Sequence, residues 1–311
     1  MRIVFFGCDD FAAVSLKRLV DDGHTLAALV TQPDKPQGRG LHVAYSATKE
    51  LALRLSLDVF QPVELKDEVV TARLRGYNAD VFVVVAYGKF LPPEVLGIPK
   101  YFCVNVHPSL LPRYRGAAPV NWAVINGDTR TGITLIRMNA SMDGGDILAQ
   151  EEYPLPEDIS SSSLREQLAV SGANMLAELL PRIPAGEFHC RKQDSSLATR
   201  APKLHKELGH IQWTDAAKKI HDLVRGTQPW PGAYTFLKGD LLKVLDAAPC
   251  DAAASGVAGE IVELHKDGFC VQAGDRAVLV RRVHPAGGKA MDARSFLAGH
   301  KLTLGERLGS P

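Results

Sequence analysis

Cysteine is scarce and scattered in this 311-residue sequence, and the five residues form no CxxC pair and no cluster with histidine: Cys8, Cys103, Cys190, Cys250 and Cys270. This spacing argues against a zinc site and against the disulfide framework of a secreted protein. The N-terminal apolar run, residues 1–7, is too short for a signal peptide, and no later run approaches a membrane span. We therefore expect a cytoplasmic protein that meets no membrane.

An excess of one charge is also missing. The chain has 36 Lys and Arg against 35 Asp and Glu, which gives a net charge of +1. No global field therefore drives it onto nucleic acid, and any binding of anions must be local. The apolar fraction of 46% and the charged fraction of 23% are ordinary for a folded protein. At this length the chain can form two domains, each with its own core.

The first half of the chain alternates strand-like and helix-like segments. Apolar runs predict strands at 3–6, 26–30, 81–86, 102–107 and 132–138, and periodic apolar residues predict helices at about 11–20 and 47–55. The run VFVVVA at 81–86 is continuous and β-branched, which is typical of a strand covered on both faces. This alternation predicts an α/β fold with a doubly wound, mainly parallel sheet that binds ligands at the carboxyl ends of its strands.

The pattern breaks at 181–205, which carries three prolines and no clear periodicity. A helical piece at about 214–225 follows, and then come short strand-like runs at 233–237, 241–245, 258–264, 269–273 and 277–283. Short strands with Gly-rich turns predict a small β-barrel. We therefore predict a first domain at 1–185, a linker at 186–205 and a barrel domain at 206–311.

The stretch VNVHPSLLPRYRG at 104–116 carries the strongest candidate site. Asn105 and His107 are two residues apart on a predicted strand, so their side chains point to the same face. Pro108 and Pro112 restrict the exit from the strand. A core histidine beside a capping asparagine is the plainer interpretation. Cys103 shares the face and offers a rival thiol nucleophile, although free cysteines are usually buried.

Two further stretches follow predicted strands. In MNASMDGGDILAQ (138–150), either Asp143 or Asp146 can orient His107 or accept a proton, although Asp-Gly-Gly is also a common turn. In TQPDKPQGRG (31–40), Lys35 and Arg39 lie among prolines and glycines in a loop that either touches phosphates or is merely solvated. No GxGxxG motif is present, which argues against a nicotinamide enzyme.

The barrel region has a local excess of cations. Residues 276–307 contain seven Lys and Arg against two acids. A basic stripe of this kind suits a nucleic-acid backbone, whereas scattered charges are by default a solvated face.

Taken together, NVHPSLLPRYRGAAPVNWAVINGD and MDGGDIL resemble the 10-formyltetrahydrofolate-dependent formyltransferases. TQPDKPQGRG and QPWPGAYTF resemble, within that family, the enzymes that act on methionyl-tRNA. The resemblance implies a Rossmann-like catalytic domain, an OB-like tRNA-binding barrel, and formyl transfer from 10-formyltetrahydrofolate to methionyl initiator tRNA without a metal. We expect a monomer.

The resemblance also implies roles for single residues. Asn105, His107 and Asp143 are the catalytic residues. The folate site is lined by four consecutive residues: Ser109, Leu110, Leu111 and Pro112. Lys35 and Arg39 lie in the loop that enters the tRNA acceptor end.

Three alternatives stay open at this point. The first is a formyltransferase that acts on an amino sugar nucleotide, which needs neither a basic loop nor an RNA-sized barrel. The second is a folate-gated RNA-binding module without chemistry, and the third is simple hydrolysis of the formyl donor.

Overall fold

The computed structural model describes residues 1–37, 42–251 and 256–309, and the chain divides into two compact units. The first unit comprises Met1–Pro119, Arg130–Pro154 and Arg165–Pro202. The second comprises Val120–Thr129, Leu155–Leu164 and Lys203–Pro311. The predicted linker at 186–205 stays a prediction.

The strands of the first unit are β1 (Arg2–Gly7), β2 (Thr25–Val30), β3 (Lys35–Gln37), β4 (His42–Ala44), β5 (Val59–Phe60), β6 (Val81–Val85), β7 (Phe102–His107), β8 (Arg115–Gly116), β9 (Arg130–Arg137), β10 (Asp146–Pro154) and β11 (Arg200–Ala201). The helices of the whole chain are α1 (Asp10–Asp21), α2 (Ala47–Arg54), α3 (Glu68–Gly76), α4 (Pro93–Leu96), α5 (Pro119–Ile125), α6 (Ser161–Leu179), α7 (Ala217–Gly226) and α8 (Ala293–Gly299). Short 3₁₀ turns lie at Leu180–Arg182, Ser195–Leu197 and Lys206–Gly209.

A seven-stranded sheet in the order β10-β9-β7-β6-β1-β2-β5 forms the centre of the first unit. Strands β7, β6, β1, β2 and β5 run parallel, which confirms the predicted mainly parallel sheet. Strands β9 and β10 differ, because β9 is antiparallel to both β7 and β10. The hydrophobic runs explain the centre of the sheet, since every residue of β6 is buried.

Helix starts in this unit are fixed by side-chain caps. Asp9 accepts a hydrogen bond from the backbone N–H of Ala12 at 3.1 Å, and Ser46 accepts one from Lys49 at 3.3 Å. The chain winds from β1 through β2 to β5 on one side, and then returns to β6 on the other side of β1. The carboxyl ends of β1 and β6 therefore flank the crevice where a sheet of this type binds ligands.

The second unit is built on an antiparallel sheet of β12 (Ala233–Leu237), β13 (Asp240–Cys250), β14 (Ile261–His265), β15 (Gly268–Gln272), β16 (Ala277–Pro285), β17 (Met291–Asp292) and β18 (Leu308–Gly309). A bridge between Glu260 and Arg307 joins the β14 edge to the β18 edge. The sheet thus curls into a small barrel around Trp213, Phe269 and Phe296, which confirms the predicted barrel. Among the described residues, no helix has the length and apolar character needed to cross a bilayer.

Candidate active site

Strand β7 presents Asn105 and His107 on one face at its carboxyl end. It lies between β6 and β9, and Asn105 is in register with Val84 and Ile136. The Asn105 side chain is half-buried, and within the described part of the chain its amide makes no hydrogen bond. The His107 side chain is only 6% exposed. An amide without a partner on a strand end is available to a ligand.

The imidazole of His107 is held by a backbone carbonyl. Its Nε2 lies 3.0 Å from the carbonyl oxygen of Tyr114. A carbonyl only accepts, so Nε2 carries a proton and donates it there. Tyr114 has a φ of 60°, a left-handed conformation that is rare for a bulky residue. Its own N–H donates to the Thr199 hydroxyl at 2.8 Å. This contact supports the turn that aims the carbonyl at His107.

Asp143 approaches the other ring nitrogen. Its Oδ1 lies 3.7 Å from His107 Nδ1, which is longer than a hydrogen bond, and the carboxylate side chain is 18% exposed. Its Oδ2 accepts a hydrogen bond from the Gly116 N–H at 2.8 Å. Asp143 has a φ of 50°, a conformation of a type that costs about 1–3 kcal/mol and persists only where the surroundings enforce it. The structure thus brings Asn105, His107 and Asp143 to one sheet face.

The loop that carries Asp143 reaches the site by an indirect route. Because β9 is antiparallel to β7, its carboxyl end lies beside Val104, below His107, and the Met138 N–H donates to the Cys103 carbonyl at 2.9 Å. The loop therefore folds back over the face of β7. A side chain at Gly145 would collide with the Arg137 carbonyl oxygen, so this close approach requires glycine.

Asp146, the alternative acid, does not take this position. It is the first residue of β10 and pairs with Arg137. Of the two acids, the one next to His107 is Asp143.

The segment 109–112 turns partly inward. Ser109 is fully buried, and its hydroxyl donates to the Arg113 carbonyl at 2.7 Å. Leu111 is buried in a small cluster with Ile136 and Ile147. Leu110 and Pro112 are half-buried. Of the four predicted folate residues, these two keep exposed surface that can meet a ligand.

Cys103 lies deeper on the same strand. It is 1% exposed, its thiol donates to the Leu96 carbonyl at 3.6 Å, and burial raises its pKa to about 12. A thiol in this state is a poor nucleophile. The described residues also contain no group of three or more His, Cys, Asp or Glu that could hold a metal ion.

A cavity of about 540 Å³ opens at the carboxyl ends of β1 and β2. Its walls include Cys8, Gln32, Asp34 and Tyr45. Strand β1 is two positions from β7 in the sheet, which is about 10 Å at the usual strand spacing. Lys35 begins β3 beside this cavity, whereas Arg39 lies outside the described residues.

Comparison with known proteins gives a family for each part of the chain. Residues 1–180 match the Formyl transferase model, and residues 203–301 match the model of the Formyl transferase C-terminal domain. A methionyl-tRNA formyltransferase of Caldanaerobacter subterraneus subsp. tengcongensis is 43% identical over 98% of this chain and 99% of its own length. One of Moorella thermoacetica is 44% identical over 99% of both chains. The chain belongs to the methionyl-tRNA formyltransferase family.

Solved structures of lower identity share the fold. HypX from Aquifex aeolicus, in complex with tetrahydrofolic acid, is 20% identical with a TM-score of 0.67 over 96% of this chain, which spans 47% of HypX. The sugar 3N-formyl transferase WlaRD is 16% identical with a TM-score of 0.66, over 92% of this chain and 98% of its own. At these identities the likeness concerns the fold alone.

Sequence reasoning missed three residues that shape this site: Tyr114, Gly116 and Gln193. Tyr114 contributes a backbone carbonyl, which any residue type supplies, whereas Gly116 contributes its N–H from a backbone with a φ of 131°, where a Cβ would lie 2.5 Å from the Ala201 carbonyl oxygen. Gln193 lies in the segment that the sequence marks as a linker, and its side chain bonds to the backbone of the Asp143 loop. The only sequence signal was the glycine that ends VNVHPSLLPRYRG.

Proposed function

We propose that this chain transfers the formyl group of 10-formyltetrahydrofolate to the α-amino group of methionyl initiator tRNA, a step of translation initiation. One observation carries the proposal: a free amide, an imidazole and a carboxylate from two separate segments meet at the end of a central strand. The relatives named methionyl-tRNA formyltransferase, 43–44% identical along almost the whole chain, support the choice of substrates.

The reaction needs little base strength. A free α-amino group has a pKa near ~8, and the adjacent ester of an aminoacyl-tRNA lowers it further. A useful fraction of the amine is therefore neutral at physiological pH, and neither a strong base nor a metal is required. The demanding step is stabilisation of the oxyanion that forms when an amine adds to a formyl carbon.

Asn105 and His107 are the proposed donors to that oxyanion. The amide of Asn105 makes no hydrogen bond within the described residues that a substrate would have to replace. One preorganised donor to an oxyanion stabilises the transition state by roughly 3–4 kcal/mol. His107 has Nε2 committed to Tyr114, so Nδ1 is the nitrogen that faces the reaction. A hydrogen bond donated from Nδ1 needs a proton on that nitrogen, and the Asp143 carboxylate lies 3.7 Å from it.

Asp143 is the proposed proton acceptor. Its Oδ2 is occupied by the Gly116 N–H, which leaves Oδ1 free to take the proton that the amine loses on addition. When the adduct collapses, the bond between the formyl carbon and N10 of the folate breaks, and this proton passes to N10 as tetrahydrofolate leaves. The 3.7 Å gap to His107 Nδ1 keeps the two groups close enough for proton exchange after a small movement.

The residues present fit a folate donor, which supplies the activated formyl group on a ring-linked nitrogen. The exposed surfaces of Leu110 and Pro112 offer apolar contact in the loop that follows β7. Ser109 and Leu111 are buried and hold this loop in place. Ser109 donates a hydrogen bond to the Arg113 carbonyl, and Leu111 packs in the cluster with Ile136.

For the tRNA we propose two local contacts. The loop 31–40, with Lys35 and Arg39, meets the acceptor end, and the neighbouring cavity receives the terminal aminoacyl nucleotide. Exposed cations of the barrel meet the phosphate backbone.

The test is formation of formylmethionine on initiator tRNA, detected by mass spectrometry after incubation with 10-formyltetrahydrofolate. Asn105→Ala, His107→Ala and Asp143→Ala should each lower kcat at least ~100-fold with tRNA affinity little changed, because each removes a group that acts on the transition state. Asn174→Ala, at an exposed helix position of the first unit, is the matched control.

Near-wild-type turnover in His107→Ala would discard the assignment. A panel of amino sugar nucleotides in the same assay separates the sugar alternative, since formyl transfer to a sugar but not to tRNA would replace the proposed substrate. Release of formate without any acceptor would instead indicate hydrolysis of the donor.

A further inference from the structure

The side chain of Gln193 joins the two segments that place Asp143. Its Nε2 donates to the carbonyls of Asp143 and Gly145, both at 2.7 Å. Its Oε1 accepts from Arg115, at 3.1 Å from Nε and 2.7 Å from the terminal NH2 nitrogen. Both amide donors and both oxygen lone pairs are thus used. Gln193 lies between the two family-matched ranges, 1–180 and 203–301.

These contacts act on the carboxylate from two sides. The two carbonyls belong to the residues on either side of Gly144. The hydrogen bonds that they accept from Gln193 therefore fix the loop in the left-handed turn that Asp143 adopts. Arg115 directly precedes Gly116, whose N–H holds Asp143 Oδ2. Gln193 therefore bonds both to the backbone around Asp143 and to the side chain of Arg115, the residue next to Gly116.

The same segment also supports the imidazole. The Thr199 carbonyl accepts from the Arg115 N–H at 2.9 Å, and the Thr199 hydroxyl accepts from Tyr114. The Ile147 and Arg191 backbones bond to each other in both directions, at 2.8 and 2.9 Å. Residues 191–201 thus form a strap, all of it within the first unit, behind both His107 and Asp143.

We propose that Gln193 is a positioning residue for formyl transfer, which sets the distance and direction of the Asp143 carboxylate. The proposal rests on the function proposed above. It differs from a merely structural role for the strap, in which Gln193 would anchor the segment without any effect on the chemistry of Asp143.

Two substitutions separate these roles. Gln193→Ala removes all four hydrogen bonds. Gln193→Glu keeps the size and strengthens the contact with Arg115, but it turns a carboxylate oxygen toward the carbonyls of Asp143 and Gly145. We expect both variants to lose roughly 10- to 100-fold in kcat, the range that a misplacement near 1 Å produces, with Glu at least as damaging as Ala. KM for 10-formyltetrahydrofolate and for methionyl-tRNA should stay within about threefold.

A double-mutant comparison distinguishes the two roles, because a purely structural effect of Gln193→Ala on kcat would not depend on whether residue 143 is aspartate. If Gln193 acts through Asp143, then Gln193→Ala lowers kcat in the wild-type chain but has little further effect in the Asp143→Asn background. The matched control is Gln167→Ala, at an exposed position of α6, which should leave kcat unchanged.

The outcomes are distinct. Wild-type kcat in Gln193→Ala, or an equal loss in the Asp143→Asn background, overturns the positioning role. Should Gln193→Ala fail to fold at the assay temperature, the kcat of Gln193→Glu, which keeps the Arg115 contact, decides in the same way. A wild-type chain that makes no formylmethionyl-tRNA defeats the proposed function instead, and that result is visible before any variant is tested.

Discussion

Among single residues, His107 uses one ring nitrogen to fix the orientation of its ring and leaves the other nitrogen for proton exchange. Its Nε2 is fixed by the Tyr114 carbonyl, whereas Nδ1 faces Asp143 across 3.7 Å. A short bond between the ring and the carboxylate would occupy both groups. The observed arrangement leaves Nδ1 and Asp143 Oδ1 available to a substrate while the ring stays fixed.

Cys103 supports a prediction at the same scale. Because burial raises the pKa of its thiol to about 12, only about one molecule in 10⁴ carries the reactive thiolate at pH 8. Native chain treated with iodoacetamide at pH 8 should therefore be modified first at Cys190, which is exposed, and last at Cys103. Peptide mass spectrometry over a time course measures the order.

Two controls complete this experiment. In denaturant both cysteines should react at similar rates, and Cys103→Ala should keep formyl transfer within about threefold of wild type, since the thiol contacts no reacting group. Equal labelling of Cys103 and Cys190 in the native chain, or loss of activity in Cys103→Ala, would support the alternative in which Cys103 is the nucleophile.

At the scale of elements, the sequence predicted what its apolar residues determine. β1, β2 and β6 were recognisable because their hydrophobic residues are continuous, and α1 because its apolar residues recur at helical spacing. Helix α6 was missed: it carries an internal glycine that lowers helix propensity. The structure explains Gly172, since a Cβ there would approach Val106 on β7 to 2.7 Å.

The contacts that assemble the site were harder to predict. Asn105 and His107 follow from strand alternation, but the left-handed turns at Tyr114 and Asp143 depend on partners 50 to 85 residues away. Strand β10 was also missed, because it starts directly after the Asp-Gly-Gly turn and only one of its nine residues is buried. Long-range hydrogen bonds of this kind leave no local pattern in a single sequence.

Asp34 gives a prediction for the elements around the cavity. Hydrogen bonding from Lys49 on α2, aided by Gln61 after β5, lowers the pKa of Asp34 below its ordinary 3.8. A lowered carboxyl pKa stabilises the fold at pH values above 3.8, and this contribution is lost as the pH falls through the lower folded value. Asp34→Asn should therefore lower the free energy of unfolding by about 1–2 kcal/mol at pH 7, which lowers Tm by a few degrees.

The pH dependence of that difference is the critical measurement. Thermal melts of wild type and Asp34→Asn should differ at pH 7 and converge as the pH falls from 3.8 through the lower folded pKa, where wild-type Asp34 becomes neutral too. Asp21→Asn, at an exposed ion pair with Lys17, should leave Tm nearly unchanged at every pH. A Tm difference that is absent at pH 7 or constant down to pH 3 would contradict the assignment.

For the molecule as a whole, charge is balanced overall and uneven locally. The net charge is +1, yet the Lys and Arg side chains between 276 and 307 are all exposed. Some are neutralised, as Arg276 is by Asp251 at 3.6 Å. Arg281 on β16 and Lys289 beyond it have no ion pair within the described residues. Cations without partners are the ones that can exchange counterions for phosphates.

Removal of those two charges should change how tRNA binding responds to salt. Each phosphate contact that is lost flattens the slope of log affinity against log salt by about one, so Arg281→Ala with Lys289→Ala should flatten it by up to about two. Filter binding of initiator tRNA over a range of salt concentrations measures the slope. Lys17→Ala, whose ammonium already pairs with Asp21 at 2.7 Å, should keep the wild-type slope. A double variant with an unchanged slope would mean that this basic face is only solvated, and the tRNA backbone would then have to be bound elsewhere on the chain.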